Sequence, residues 1–176
     1  MTEQSKKYLK TSITLGIIAA SSALLISLSN LVTRNRIAEN EVAKINSSIK
    51  EIYGDSAIVK EDGDYSKESF KYVNHYYTIV DNNDNPLGLA FRTAGSNSYG
   101  KISLIVGFDN PDYNFKGMYV ITDEQTYAST LEDKYIDPVN DGERVIDDVS
   151  CGATYGAKLV RDMIKEAKDA ADSWGE

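Results

Sequence analysis

The first pattern along the chain is a long stretch without charge. From Thr11 to Thr33, "TSITLGIIAASSALLISLSNLVT", Leu, Ile, Ala and Ser dominate. These 23 residues, at about 1.5 Å rise each, make roughly 34 Å of helix, enough to cross a hydrocarbon core of about 30 Å. The apolar core of a cleaved signal peptide is shorter, about 7–15 residues, so the run is read as an uncleaved single span over 11–33. The period then changes. Ile37, Val42, Ile45, Ile49 and Ile52 recur at mostly helical spacing, which predicts an amphipathic helix over 34–54 that ends at Gly54.

Beyond Gly54 the polar stretch "DSAIVKEDGDYSKESF" predicts a loop or an irregular strand. Alternating runs follow. "KYVNHYYTIVD", the turn-forming "NNDNP" and "LGLAFRTA" predict a hairpin, and "KISLIVGFD" with "FKGMYVIT" predicts a second strand pair around "NPDYN". "DEQTYASTLEDKYIDPVNDGERVIDD" shows no period and is expected to be irregular. From Tyr155 to Ala171 helical spacing returns, with Val160, Met163, Ile164, Ala167 and Ala171 on one face. The expected fold class is therefore α+β, a domain of antiparallel strands flanked by helices over 55–176. It follows a short N-terminus at 1–10, the span at 11–33 and the membrane-proximal helix at 34–54.

Charge narrows the partners. Residues 1–36 carry a net charge of +4, and residues 37–176 carry −12. A domain so acidic is repelled by nucleic acid and by anionic lipid, so no nucleic-acid partner is expected. Lys6, Lys7 and Lys10 before the span outnumber Arg34 and Arg36 after it. This small bias favours a cytoplasmic N-terminus and an extracytoplasmic domain in a single-pass cell-membrane protein. A single cysteine, Cys151, allows no internal disulfide.

Candidate chemistry is sparse. His75, the one histidine, has no helical His/Glu pair beside it, so no metal site is assigned. "DNNDNPLG" lacks the glycine and closing glutamate of a calcium loop and reads as a solvated turn. Cys151 has no basic neighbour in sequence to activate it, and no catalytic residue is assigned. Some of the 12 tyrosines could stack on a planar ring, although strands and cores use tyrosine freely. The remaining stretch of interest is "DDVSCGATYGAKLV", Asp147 to Val160, a small-residue turn before the last helix. Thr154 there has two readings, a helix N-cap or a hydroxyl beside an anion site at the positive end of the helix.

The segment Asp148-Val149-Ser150-Cys151-Gly152-Ala153-Thr154 resembles the Asp-x-x-(Ser/Thr)-Gly-Ala-Thr motif of the FMN-binding domain family. That family includes the G subunit of the Rnf ferredoxin:NAD oxidoreductase and the C subunit of the sodium-pumping NADH:quinone reductase. Two further patches are similar: Tyr99-Gly100 in "SYGKISLIVGFD", and Glu124-Gln125-Thr126 in "DEQTYAST". The resemblance implies FMN joined through its phosphate to Thr154 by a flavin transferase, with Asp148 as a recognition residue. It implies that Cys151, Gly152 and Ala153 shape the turn and that Glu124, Gln125, Thr126 and Tyr99 flank the flavin. The chain would be an electron-carrying subunit without a complete active site of its own, working with other membrane subunits of an Rnf-type complex that moves Na⁺ or H⁺. A stand-alone surface flavoprotein and a flavin-free interaction module are the alternatives. Departures from the family pattern are Cys151 in place of a hydroxyl residue, Tyr127-Ala128-Ser129 in place of Pro-Gly-Leu, and Gly156 after the motif.

Overall fold

The structure, a computed structural model, describes residues 3–65 and 69–174. Ser66, Lys67 and Glu68 of the expected polar loop lie outside the described residues, as do the side chains of 5–7, 9 and 31–39. The flanking charges Lys6, Lys7, Arg34 and Arg36 are therefore known from sequence alone. The chain divides into two compact units, residues 1–43 and 44–176.

In the first unit the backbone is helical from Glu3 onward, as part of α1 (Glu3–Tyr53). Lys10–Asn30 is long and apolar enough to cross a membrane, and none of it is buried within the protein. Three of its hydroxyls bond back to the helix: Thr14 donates to the Lys10 carbonyl at 2.9 Å, Ser21 to Ile17 at 2.8 Å and Ser22 to Ile18 at 2.9 Å. A helix in lipid needs that arrangement, because no water is there to take an unpaired O–H.

The second unit is a five-stranded antiparallel meander in the order β1-β2-β3-β4-β5. Its strands are β1 (Ile58–Asp64), β2 (Val73–Val80), β3 (Pro86–Asn97), β4 (Gly100–Asp109) and β5 (Phe115–Asp123). All four runs expected as strands are strands, and the polar stretch before them contributes β1, an exposed edge strand with a bulge between Val59 and Glu61. The apolar run in β4 alternates only partly because both faces are covered. Leu104, Val106 and Phe108 join Leu89, Phe91 and Met118 under the C-terminal helices. Ile105, Ala90, Tyr77 and Ile121 face the other way, against Ile49 and Tyr53 at the end of α1. Fully burying each of these large side chains contributes roughly 1.5–3 kcal/mol.

Tyr53 fixes the end of α1 to the sheet. Its buried hydroxyl lies 2.7 Å from the Leu89 carbonyl and 3.0 Å from that of Phe108, and accepts the Phe108 N–H at 2.9 Å. Burial pushes this phenol well above the usual tyrosine range. Gly107 leaves space for the contact, since a Cβ there would sit 2.6 Å from Ile52 Cγ2.

The segment expected to be irregular after β5 is helical over much of its length. It forms α2 (Ala128–Leu131), a π-helical turn (Glu132–Ile136) and α3 (Asp137–Asn140). Leu131, Tyr135, Ile136 and Val139 enter the core from it. The last helix, α4 (Thr154–Asp172), buries the stripe expected from its period.

Candidate functional site

The Cys-Gly-Ala-Thr turn is held from behind. Arg144 Nη1 donates to the carbonyls of Asp148 at 3.0 Å and Ser150 at 3.3 Å, and pairs with the Asp148 carboxylate at 3.2 Å. Asp148 Oδ1 in turn accepts the Ser150 N–H at 3.2 Å. Tyr135 donates to the Ile146 carbonyl at 2.5 Å, and Lys165 of α4 pairs with Asp147 at 2.5 Å. The lysine holds the Asp147 carboxyl below its ordinary pKa, and burial pushes the Tyr135 phenol up.

Gly152 then turns the chain with φ +88°, where a side chain would be strained. The backbone enters α4 at Thr154. The helix begins one residue earlier than expected, so Ala153 and not Thr154 occupies the N-cap, and no side chain caps it. The capping reading of Thr154 is thereby overturned. Its hydroxyl makes no hydrogen bond to any described residue, and the first backbone N–H groups of α4 lack intrahelical acceptors.

The two weaker patches meet beside this turn. Gly100, at φ +137°, closes the β3–β4 hairpin against the strand that leaves β5; a Cβ there would lie 2.1 Å from the Glu124 carbonyl. Glu124 N–H donates to Lys101 at 2.8 Å, and Thr126 N–H to the Tyr99 carbonyl at 2.9 Å. The Thr126 hydroxyl reaches that same carbonyl at 3.2 Å. Gln125, only 7% exposed, sends Nε2 to the Gly100 carbonyl at 2.6 Å. A carbonyl can only accept, so the amide orientation is fixed, and Oε1 is left as an acceptor near Gly156. Asn97 Nδ2 ties the hairpin to the motif through the Tyr155 carbonyl at 3.2 Å.

Between these segments lies a cavity of about 340 Å³ lined by Tyr99, Gln125, Tyr127, Leu131, Gly152, Ala153, Thr154, Tyr155 and Gly156. The structure thus brings together Tyr99, Gln125, Gly152, Ala153 and Thr154 of the expected site. Glu124 and Thr126 stand outside the lining and contribute main-chain and hydroxyl bonds to the hairpin. Asp148 is solvent-side, held by Arg144. Cys151 is 6% exposed and faces the core, bordering a separate cavity with Lys134, Arg144 and Ser150. Sequence reasoning singled out neither Tyr127 nor Tyr155 for the site. The available signal was position: each of Tyr99, Tyr127 and Tyr155 stands within one residue of a patch that carries the resemblance.

His75 lies elsewhere, on β2, with its ring nitrogens 3.2 Å from Asp62 and 3.1 Å from Asp64 of β1. Asp81 accepts the N–H groups of Asn83 at 2.7 Å and Asn85 at 2.9 Å, which makes "DNNDNP" a self-bonded turn.

No curated protein matches the chain significantly. The helical N-terminal part does match a known family: residues 1–52 fit the one described as RnfG N-terminal region, so that the chain resembles the G subunit of the Rnf complex, which supports a role as an Rnf-type subunit.

Proposed function

We propose that the chain is a membrane-anchored electron-transfer subunit of an Rnf-type ion-translocating complex, carrying FMN in phosphodiester linkage to Thr154. The observation that carries this reading is the convergence of three sequence-distant patches, through Tyr99, Gln125 and Gly152-Ala153-Thr154, on one cavity. The residues present fit the group. Thr154 offers a hydroxyl that no cap bond occupies, beside helix N–H groups that favour a phosphate. Gly152 leaves the approach open, since a Cβ there would meet nothing closer than Thr130 Cγ2 at 3.6 Å. Gln125 Oε1 supplies a polar acceptor in the lining. FMN when bound takes up and releases electrons, while the protein fixes, shields and orients it. Covalent attachment keeps a cofactor at high effective concentration, as a domain on the extracytoplasmic side requires.

The match over residues 1–52 supports work within a complex over a stand-alone role. The other membrane subunits are then the redox partners, and a flavin transferase is the maturation partner. The deciding experiment is peptide mass spectrometry on the chain isolated from its own membranes. A peptide containing Thr154 should gain the mass of one FMN less one water. An unmodified Thr154 in cells with an active flavin transferase would overturn the proposal and favour the flavin-free module.

A further inference from the structure

Exposed large apolar side chains are few in the sheet-bearing unit. Among the described residues of 44–176 they are Ile58, Tyr99, Tyr127, Val145 and Tyr155, and three of these five border the same cavity. The three tyrosines come from separate segments: the β3–β4 turn, the residue before α2, and the first turn of α4. Their exposures are 38%, 53% and 64%. Tyr99 is central, with its ring centroid 5.5 Å from Tyr155 at 31° and 6.0 Å from Tyr127 at 54°. Tyrosines that served only the core would be buried, as Tyr135 is. Here all three residues stay exposed around a cavity at the small end of the about 300–1,000 Å³ typical of ligand sites. Such rings gain by covering a flat aromatic surface.

We infer that Tyr99, Tyr127 and Tyr155 form a clasp for the tricyclic ring of the flavin, closing over the mouth of the cavity beside Thr154. The inference rests on the flavin reading above, and extends it from the attachment point to the ring. It makes Tyr127 and Tyr155 positioning residues, which act by stacking and not by chemistry. Lys158, whose ammonium lies 5.8 Å from the Tyr155 centroid, backs one ring of the clasp with a cation.

Flavin emission in the full chain in detergent tests this. A phenol in contact quenches flavin emission by donating an electron to the excited ring and taking it back. Two forms are compared: chain made with a flavin transferase, with the Thr154 peptide mass read in parallel, and chain made without one and titrated with riboflavin. Riboflavin lacks the phosphate and reports the clasp alone. The variant Tyr127→Leu/Tyr155→Leu should raise emission of the attached flavin several-fold and weaken riboflavin binding by about tenfold. Tyr127→Phe/Tyr155→Phe, which keeps both rings, should retain riboflavin affinity. Equal emission and equal affinity in the wild type and the leucine variant would overturn the clasp. A missing FMN mass on Thr154 would overturn the attachment reading instead. The riboflavin titration would then decide the clasp, and no saturable quenching by the wild-type chain would sink it.

Discussion

Gln125 Nε2, on a buried side chain, and the half-buried Gly100 carbonyl are 2.6 Å apart, and this bond locks the hairpin to the wall of the cavity. Removing one partner of a buried hydrogen bond leaves the other desolvated, at about 1–3 kcal/mol. Gln125→Leu is therefore expected to lower unfolding stability by that amount in urea titrations. A change within error would mean that water reaches the Gly100 carbonyl once the amide is gone.

The two left-handed glycines of the site should respond very differently to alanine. At Gly152 only the backbone angle is strained, which costs roughly 1–2 kcal/mol. At Gly100 the new Cβ also meets the Glu124 carbonyl at 2.1 Å, so Gly100→Ala should cost clearly more, on the order of 4 kcal/mol. Denaturation midpoints of the two variants measured side by side give the order. Equal midpoints would show that the Glu124 strand moves aside freely.

Thr154→Ala separates a structural threonine from a functional one. With no cap bond to lose, its stability should stay within about 0.5 kcal/mol of wild type, against about 1 kcal/mol for a true N-cap. The same variant should carry no FMN mass on the motif peptide. A stability loss of the full capping size would return Thr154 to a helix-starting role.

Acid sensitivity should come from two carboxylates. Asp147 is held low by Lys165, and Asp81 by the side chain and N–H of Asn85 and the N–H of Asn83. With a depressed folded pKa, the unfolded chain takes up the proton first, so this stabilisation is complete above about pH 4 and is lost as pH falls through the folded values. Asp123 works in the opposite sense. Burial raises its pKa despite the Gln125 N–H, so its contribution declines as pH rises from the unfolded to the folded value. Lys165→Met should lower the urea midpoint at about pH 7 and converge on wild type at about pH 2.5. A gap that does not change with pH would show that the lysine acts through packing alone.

How much of this was legible follows from where each residue's constraint originates. The strands could be read because side-chain alternation is a local consequence of burial, and α4 because its stripe has a helical period. The stretch from Ala128 to Asn140 could not be read. Its buried residues Leu131, Tyr135, Ile136 and Val139 are interrupted in phase by a π turn, and Pro138 sits where a fresh helix begins. The stretch that holds β1 could be read only as a loop or an irregular strand, because a largely exposed edge strand shows no clear alternation. In the site, the Gly-Ala-Thr turn was visible as small residues before a helical period. The tyrosine cluster was not, since 12 tyrosines look alike until folding brings Tyr99, Tyr127 and Tyr155 within ring contact.

Tyr53 also decides how the sheet meets mechanical load. Its hydroxyl is bonded to Leu89 of β3 and Phe108 of β4, strands with a neighbour on each side in the meander. Tension entering along Lys44–Tyr53 meets these bonds to the interior of the sheet before it reaches the edge strand β1. It does not reach the sheet first through an edge strand, which could peel away one bond at a time.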